Sequence, residues 1–282
     1  MDLFVFDIDG TLLDSNVRMS DRTVRSLERI SKQAEIVICT GRMCSSTVNI
    51  LKKYIPSFLG KANLITYNGG RVEDAKGTLI YESLIDKDIA VEISKYFFSK
   101  SIYFQIYIDD QLYTYEDCDK IRDYSLHASV EYIIHEDLIE LIRSAPSGPN
   151  KLLVIDEPER LGSIQEFIGK YFSGVQSVMS FRNYLDIVPV DVSKGNALET
   201  MTLKLGADIS EAFVFGDSQN DISMLQLTEN SFAMGNSTEN VKNVCKYIIP
   251  TNDEEGVAQI LEKILDSSDI DTFCNSRYSS RN

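Results

Sequence analysis

Histidine is nearly absent from this sequence, which holds only two in 282 residues, and this scarcity excludes a His-rich metal site. Cysteine is sparse as well: there are five, scattered along the chain, and none of the pairing that marks a zinc site is present. They are Cys39, Cys44, Cys118, Cys245 and Cys274. Because the number is odd and the spacing irregular, a reducing, cytoplasmic setting fits this cysteine usage best.

Long apolar runs and an excess of basic charge are also absent. No apolar run approaches the ~20 residues needed to cross a bilayer. The first residues include Asp2, Asp7 and Asp9 without a basic flank, so we do not expect a signal peptide. The net charge is -15, which argues against a nucleic acid or an anionic membrane as partner. A phosphorylated small molecule stays compatible, because a bound cation can reverse the local field. The oligomeric state is open, with a monomer slightly favoured.

Short apolar runs alternate with helical patterns in the first part of the chain. Leu3–Phe6, Glu35–Cys39 and Asn63–Thr66 are typical of buried strands, and the segments between them have helical spacing. This alternation indicates right-handed βαβ units and a parallel sheet. The same alternation resumes at Ser193, so both ends of the chain are expected to build one sheet.

The middle of the chain follows a different pattern, in which helical segments mix with alternating strands. We therefore predict an α/β fold: a doubly wound parallel sheet formed by residues 1–81 and 187–265, with a smaller α+β domain inserted at 82–186. Residues 266–282 are rich in Ser, Asp, Asn and Arg and are predicted to be a disordered tail.

Several polar motifs follow predicted strands or begin a helix beside one. They are Asp7-Ile8-Asp9-Gly10-Thr11, Thr40-Gly41-Arg42, Lys194-Gly195 and Gly216-Asp217-Ser218-Gln219-Asn220-Asp221. Each motif alone is weak, since an aspartate after a strand is commonly a turn former or a helix cap. In this order and on these elements, they predict a ligand site at the carboxyl edge of the sheet.

The motifs combine carboxylates with phosphate-binding groups. Asp7 and Asp217 at the ends of different strands can share Mg²⁺, which prefers oxygen ligands and polarises a phosphoryl group. Lys194 supplies a cation, and Thr11 and Thr40 supply hydroxyl donors for phosphoryl oxygens. Further candidates for phosphate binding are Gly41 and Asn220, with backbone N–H groups near Gly10 and Gly41 as added donors.

The motifs contain no histidine or cysteine, so the nucleophile must be a carboxylate or an activated water. Asp7 is the better candidate and can form an acyl phosphate. Asp9 can protonate the leaving alcohol and then deprotonate water, a role for which we expect a raised pKa. Asp221 can hold a metal-bound water, pair with Lys194, or stabilise a helix N-terminus.

Four residues are weaker candidates for contacts with the rest of the substrate. Arg42 and Asn68 could touch it, although an ion pair for Arg42 and a turn for Asn68 are slightly favoured. Arg182 and Asn183 lie near the point where the insertion returns to the sheet, and we hypothesise that they face the site.

The motifs resemble those of the haloacid dehalogenase superfamily, and specifically its Cof-type sugar phosphatase group, in which a large C2-type cap is inserted. Further matching segments are Asn68-Gly69, Val192-Ser193-Lys194-Gly195, Ala233-Met234-Gly235-Asn236 and Asn252-Asp253-Glu254-Glu255-Gly256-Val257. The resemblance covers about residues 2–265 and is least distinctive in the cap.

The resemblance implies Mg²⁺-dependent phosphomonoester hydrolysis through an aspartyl-phosphate. It implies that Asp7 is the nucleophile and Asp9 the acid and base, with the Asp9 backbone carbonyl on the metal. It also implies that Thr40 and Lys194 bind phosphate and that Asp217 binds the metal.

The leading hypothesis is a phosphatase for small phosphorylated metabolites, with sugar phosphates favoured. One alternative is a phosphosugar mutase of the same superfamily, which would also need an acid and base at Asp9. Another is a catalytically silent protein that binds or senses phosphate.

Overall fold

The computed structural model describes residues 2–266, which build two sheets with flanking helices. The strands are β1 (Leu3–Phe6), β2 (Glu35–Cys39), β3 (Asn63–Thr66), β4 (Arg71–Glu73), β5 (Leu79–Glu82), β6 (Phe104–Ile108), β7 (Gln111–Thr114), β8 (Ile133–Ile134), β9 (Lys151–Ile155), β10 (Val175–Phe181), β11 (Tyr184–Pro189), β12 (Phe213–Gly216), β13 (Ser231–Met234) and β14 (Tyr247–Ile249). The helices are α1 (Asp21–Ile30), α2 (Cys44–Tyr54), α3 (Lys87–Ser99), α4 (Asp119–Ala128), α5 (Leu138–Ser144), α6 (Pro158–Tyr171), α7 (Lys194–Leu205), α8 (Ile222–Leu225), α9 (Glu239–Lys242) and α10 (Gly256–Leu265).

The larger sheet has the strand order β14-β13-β12-β1-β2-β3-β4-β5. Strands β14 to β3 in this order pair in parallel, and β4 and β5 extend the edge as an antiparallel hairpin. The chain winds outward in both directions from β1, so the point where strand order reverses lies at its end. The predicted α/β fold with a doubly wound parallel sheet is confirmed.

Strand β1 is buried on both faces because all four of its residues are apolar. Phe4 stacks on Phe213 with ring centroids 4.6 Å apart, and Phe6 stacks on Phe215 at 5.0 Å. Leu3 and Val5 point to the other face and pack in a second cluster with residues of α7 and α8. This two-sided burial anchors the strand that carries the first acidic motif.

The smaller sheet has the order β10-β11-β9-β6-β7-β8 and is antiparallel except for the β7–β8 pair. Helices α3, α5 and α6 cover one face with apolar side chains. Its other face carries α4 and tyrosines that pack towards the larger sheet. We call this part of the chain the cap and the larger sheet with its helices the core. The predicted domain limits at residues 82 and 186 stay a prediction, since β11 runs on to Pro189.

The last helix, α10, begins at Gly256, directly after Glu255, which has a left-handed φ of 59°. Helix α9 is a short helix of four residues. Apart from Asp266, the predicted disordered tail lies outside the described residues.

None of the helices in residues 2–266 has both the length and the apolar character needed to cross a membrane.

Candidate active site

The first acidic motif leaves β1 at the carboxyl edge of the core sheet, beside the loop that follows β12. The N–H of Asp7 donates to the carbonyl of Phe215 at 3.1 Å, which continues the strand pairing by one residue. Gly10 then turns with a φ of +77°, and a Cβ there would lie 2.4 Å from an Asp217 carboxylate oxygen. Only glycine allows this approach, so the loops of Asp7 and Asp217 lie side by side.

Three carboxylates converge at this point. Ligand oxygens of Asp7, Asp217 and Asp221 all lie within 4.8 Å of one another. Lys194, the first residue of α7, places its Nζ 2.6 Å from Asp7 Oδ1 and 2.5 Å from Asp221 Oδ1. The Ser193 side chain caps this helix and thereby fixes where the lysine starts. The structure thus brings together the carboxyl ends of β1 and β12 and the first residue of α7, as the sequence predicts.

Burial and neighbouring carboxylates raise the pKa of Asp7 and Asp217, and the shared Lys194 only partly opposes this effect. Burial, followed by the charges of Asp221 and Asp9, raises the pKa of Asp7 to about 7 against the opposing effect of Lys194. Burial and the same neighbours hold the pKa of Asp217 well above its usual range. Burial lowers the pKa of Lys194, but Asp221 and Asp7 outweigh burial and raise it. Crowded oxygens with one cation among them suit a hard divalent metal ion.

Asp221 holds the loop after β12 rather than pointing into open space. Its Oδ2 accepts the N–H groups of Asp217 and Ser218, each at 2.9 Å, and its Oδ1 accepts Lys194. It also closes a capping box with Ser218 at the start of the following turn. Two alternatives considered for Asp221, the pair with Lys194 and the support of a helix start, are therefore both found.

Asp9 is bound by Arg42 through two parallel hydrogen bonds. Arg42 Nε lies 2.6 Å from Asp9 Oδ2, and Arg42 Nη2 lies 2.6 Å from Asp9 Oδ1. Burial raises the pKa of Asp9, but the Arg42 guanidinium outweighs burial and holds that pKa below its ordinary value. The expectation of a raised pKa is wrong in this arrangement, because the sequence does not reveal which cation faces Asp9.

Arg42 has no N–H group left for a substrate. Besides Asp9 it donates to Ser46 Oγ at 3.0 Å, to the carbonyl of Ala128 at 2.9 Å and to the carbonyl of His127 at 3.3 Å. These contacts account for all five donors of a guanidinium. The assignment of Arg42 as a substrate or phosphate ligand is therefore corrected: it forms the ion pair considered as the alternative, and it joins α2 to the end of α4.

Asn68 and Thr11 also serve other side chains. Asn68 lies in a tight turn with a φ of 60°, donates to Asp186 at 2.7 Å and accepts from Asn220 at 2.9 Å. Its assignment as a substrate ligand gives way to the turn alternative. The Thr11 hydroxyl donates to Asp217 Oδ1 at 3.3 Å, so here it serves the acidic cluster and not a phosphoryl oxygen.

A cavity opens above these loops, between core and cap. Its core side is formed by six of the predicted site residues and Ser218, and its cap side by nine residues from α4, β9, β10 and β11. The core residues are Asp7, Asp9, Thr40, Gly41, Arg42, Ser218 and Asn220. The cap residues are Tyr124, His127, Ala128, Lys151, Leu153, Ser180, Phe181, Tyr184 and Asp186. The lining of this cavity does not include Thr11, Asn68, Lys194, Asp217 or Asp221; Asn68 and Lys194 instead line a second cavity that shares Asn220 with the first.

Arg182 and Asn183 do not line the cavity. They form the tip of the β10–β11 hairpin, whereas their neighbours Phe181 and Tyr184 reach the cavity wall. The hypothesis that Arg182 and Asn183 face the site is wrong, because both lie in the turn between the two strands and neither is among the residues that line the cavity.

Sequence reasoning missed the charged cap residues of the cavity. Lys151 opens the apolar run of β9, and Asp186 interrupts the apolar run of β11. A charge within a buried strand is costly unless it has a partner, so these two positions carried a usable signal.

Comparison with known proteins identifies the family. The sequence profile of the haloacid dehalogenase-like hydrolases matches residues 4–261. The chain belongs to this family. The predicted superfamily and Cof-type group are thereby confirmed, and so is the prediction of an enzyme of this hydrolase class.

Individual proteins are similar to this chain over nearly its whole length. The crystal structure of TM0651 from Thermotoga maritima shares 36% identity with a TM-score of 0.81 and covers 93% of this chain and 96% of its own. Phosphatase YwpJ of Bacillus subtilis is 27% identical over 94% of this chain and 100% of its own. The Bacillus subtilis protein YwtE, named 5-amino-6-(5-phospho-D-ribitylamino)uracil phosphatase, is 26% identical over 94% of this chain and 98% of its own.

Proposed function

We propose that this protein is a Mg²⁺-dependent phosphomonoester hydrolase that forms an aspartyl-phosphate on Asp7. The observation that carries the proposal is the position of Asp7, which lines the cavity, contacts Lys194 and belongs to the acidic cluster with Asp217 and Asp221. Phosphoryl transfer needs mainly positioning and charge stabilisation, and this arrangement offers both.

Asp7 and Asp217 would hold the metal ion through their carboxylates, together with the Asp9 backbone carbonyl. Asp221 would support them from behind, since its oxygens are engaged with Lys194 and the backbone of the loop. The fit is chemical: the site is an oxygen-only donor set with the crowded charge that a hard cation neutralises. When bound, Mg²⁺ would keep these carboxylates ionised and polarise the phosphoryl group.

In the first step an Asp7 carboxylate oxygen attacks phosphorus, and the bond from phosphorus to the alcohol oxygen breaks. The alcohol leaves with a proton from Asp9. Water then attacks the phosphorus of the aspartyl-phosphate while Asp9 takes its proton, which releases inorganic phosphate and restores Asp7. Thr40 and Lys194 would bind phosphoryl oxygens during both steps.

The ion pair with Arg42 bears on the two tasks of Asp9. With its pKa lowered, Asp9 is ionised in this arrangement and suits the second step, in which it acts as a base. The first step requires its protonated form, so Arg42 would have to weaken its hold when substrate enters.

The cap side of the cavity supports a small organic leaving group. Tyr124, His127, Phe181 and Tyr184 form a group of rings with neighbouring centroids between 5.4 and 6.1 Å apart. Such rings can pack against the apolar faces of a sugar or a heterocycle. The name of YwtE refers to a small phosphorylated metabolite. We favour sugar phosphates as the substrate class, and a panel of phosphorylated metabolites would identify the preferred one.

The first experiment measures hydrolysis of an aryl phosphate with Mg²⁺ by the wild type and by Asp7→Asn. We expect the variant to lose activity because an amide cannot attack phosphorus. Asp119→Asn is the matched control, since its side chain is 94% exposed and lies on α4, away from the core loops. Full activity in Asp7→Asn would refute the nucleophile.

The route and the alternatives need separate measurements. Two successive in-line displacements retain configuration at phosphorus, whereas direct attack by water inverts it, so a chiral phosphate ester decides whether Asp7 is phosphorylated. With a hexose phosphate, released inorganic phosphate supports the hydrolase, and an isomerised sugar phosphate would indicate a mutase. Binding without turnover of any ester would indicate a silent sensor.

A further inference from the structure

A buried ion pair of the cap lies beside the phosphate loops of the core. Lys151 at the start of β9 and Asp186 in β11 are 2% and 0% exposed, and Lys151 Nζ lies 3.0 Å from Asp186 Oδ1. Both line the cavity, although neither belongs to a motif of the core. The pair is therefore a contribution of the inserted domain to the site.

Each member of the pair makes a second contact, and this contact is with the core. Lys151 Nζ donates to the carbonyl of Gly41 at 3.0 Å, within the loop after β2. Asp186 Oδ2 accepts from Asn68 Nδ2 at 2.7 Å, in the turn after β3. Asn68 Oδ1 in turn accepts from Asn220 Nδ2 at 2.9 Å, in the loop after β12. One ion pair thus connects three loops of the core.

These contacts leave the pair little capacity to bind substrate directly. The Lys151 ammonium also lies over the ring of Tyr107, 4.7 Å from its centroid. Both Asp186 oxygens are occupied, one by Lys151 and one by Asn68. The pair is thus suited to hold other groups in place.

Stability alone does not account for charges at these positions. A buried ion pair can often be replaced by apolar side chains of similar volume without loss of stability, because burial costs each ion its hydration. An apolar pair could pack between β9 and β11, but it could not hold the Gly41 carbonyl or the Asn68 amide. The charges therefore point to a task outside the cap.

We infer that Lys151 and Asp186 are positioning residues that hold the Thr40-Gly41 loop and the Asn68–Asn220 contact in the geometry that binds phosphate. The inference rests on the proposed function of this site. It means that the phosphate pocket is complete only with the cap in contact with the core.

The test replaces the pair with neutral side chains of nearly the same size, Lys151→Met with Asp186→Asn. Because both charges are removed together, no unpaired charge stays buried, and we expect an unfolding midpoint close to that of the wild type. The Gly41 contact is lost while an acceptor for Asn68 remains. We expect inorganic phosphate, measured by calorimetry, to bind about tenfold more weakly, since small misplacements in such sites have large effects.

A second variant, Lys151→Met with Asp186→Leu, removes both contacts and is expected to weaken phosphate binding further. The control is Lys95→Met with Glu92→Gln, which removes an exposed ion pair on α3 and should leave binding unchanged. If the second variant does not fold, the first carries the test alone. Unchanged phosphate binding in either folded variant would overturn the inference.

Turnover gives an independent readout. Because the loops hold the phosphoryl group common to all substrates, kcat/KM should fall by the same factor for an aryl phosphate and a hexose phosphate. A loss that depends on the leaving group would show that the pair contacts substrate, and would overturn the positioning role. Absence of any hydrolysis by the wild type would refute the proposed function, while the phosphate-binding measurement would still test the pair.

Discussion

At the scale of single residues, the site depends on backbone positions that leave room for a neighbouring side chain. A Cβ on Gly41 would lie 2.7 Å from Asn68 Oδ1. Asn68 cannot withdraw, because Asp186 and Asn220 bind its amide and its own N–H donates to the Thr40 carbonyl at 3.1 Å. The missing side chain of Gly41 is thus what allows the loops after β2 and β3 to touch.

We therefore predict that Gly41→Ala destabilises the protein by roughly 1–3 kcal/mol, the usual effect of overpacking a filled site. Gly162→Ala is the matched control: it lies in α6, and a Cβ there meets nothing within 4 Å. The free energy of unfolding of this control should rise by roughly 0.5–1 kcal/mol, because alanine is more favourable than glycine in a helix interior. Denaturant unfolding of both variants checks the prediction, and a Gly41→Ala protein as stable as the wild type would contradict it.

At the scale of secondary-structure elements, a side chain from the inserted cap domain accepts the hydrogen bonds of the first N–H groups of α2. Its own N-cap residue, Met43, has no side chain able to accept a hydrogen bond. Asp110, in the turn between β6 and β7, instead accepts from the N–H groups of Cys44 at 3.0 Å and Ser45 at 2.8 Å, and from the Tyr67 hydroxyl at 2.6 Å. A carboxylate at a helix N-terminus is favourable for its charge and for its hydrogen bonds.

Asp110→Asn should lower the free energy of unfolding by about 1–2 kcal/mol, since an amide offers one acceptor where the carboxylate offers two. Asp109→Asn is the control, because Asp109 has a similar positive φ and its carboxylate accepts a hydrogen bond from Ser147, not from the N-terminus of α2. Amide hydrogen exchange should rise at Cys44 and Ser45 in Asp110→Asn alone. Equal effects of both substitutions would show that the loss of a negative charge, and not the loss of the hydrogen bonds to the N-terminus of α2, causes the change in stability.

Helices α1 and α10 are joined by Arg22, which binds Glu262 through two hydrogen bonds at 2.8 and 2.6 Å. The Arg22 guanidinium holds the pKa of Glu262 below its ordinary value. A carboxyl whose pKa is lower in the folded state stabilises the fold above its ordinary pKa. That stability is lost as the pH falls through the lowered value.

Glu262→Gln should therefore cost roughly 0.5–1 kcal/mol at pH 7, a small amount because Arg22 is 38% exposed and water screens the pair. The difference from the wild type should shrink as the pH falls below about 4. Glu166→Gln, at an exposed position on α6, is the control because it makes the same change in charge away from Arg22. Unfolding midpoints of wild type and Glu262→Gln across this pH range test the prediction. If the difference between the two proteins grows in acid, the stabilising role of the Arg22–Glu262 pair is refuted.

At the scale of the whole molecule, sequence patterns predicted the core far better than the contacts between core and cap. Strands such as β1 and β13 follow from short apolar runs, and the acidic motifs follow from their position after such runs. The partner of Asp9 could not be predicted, because Arg42 reaches it from a separate loop. The charges of Lys151 and Asp186 within apolar strands were a usable signal, but their partners in the core could not be predicted, since contacts between distant segments depend on how the cap docks.

The whole molecule also carries a net charge of -15, and part of this charge is concentrated in the acidic cluster behind the cavity. Any salt screens the general repulsion of such a chain and raises its stability somewhat. A specific Mg²⁺ site adds a second effect, because an ion that binds only the folded state stabilises it in proportion to the logarithm of its concentration. The two effects can be separated at equal ionic strength.

We predict that MgCl₂ raises the unfolding midpoint more than NaCl of the same ionic strength does. At a Mg²⁺ concentration a hundred times its Kd, the free energy of unfolding should rise by roughly 2.7 kcal/mol. In Asp217→Asn the two salts should act alike, because the variant loses an oxygen ligand and part of the charge that attracts the ion. Asp208→Asn, an exposed helix-cap position with the same change in charge, should keep the difference between the salts. If wild type responds equally to both salts, the acidic cluster does not bind Mg²⁺ in the folded protein, and the crowding of Asp7 and Asp217 must be relieved by protons.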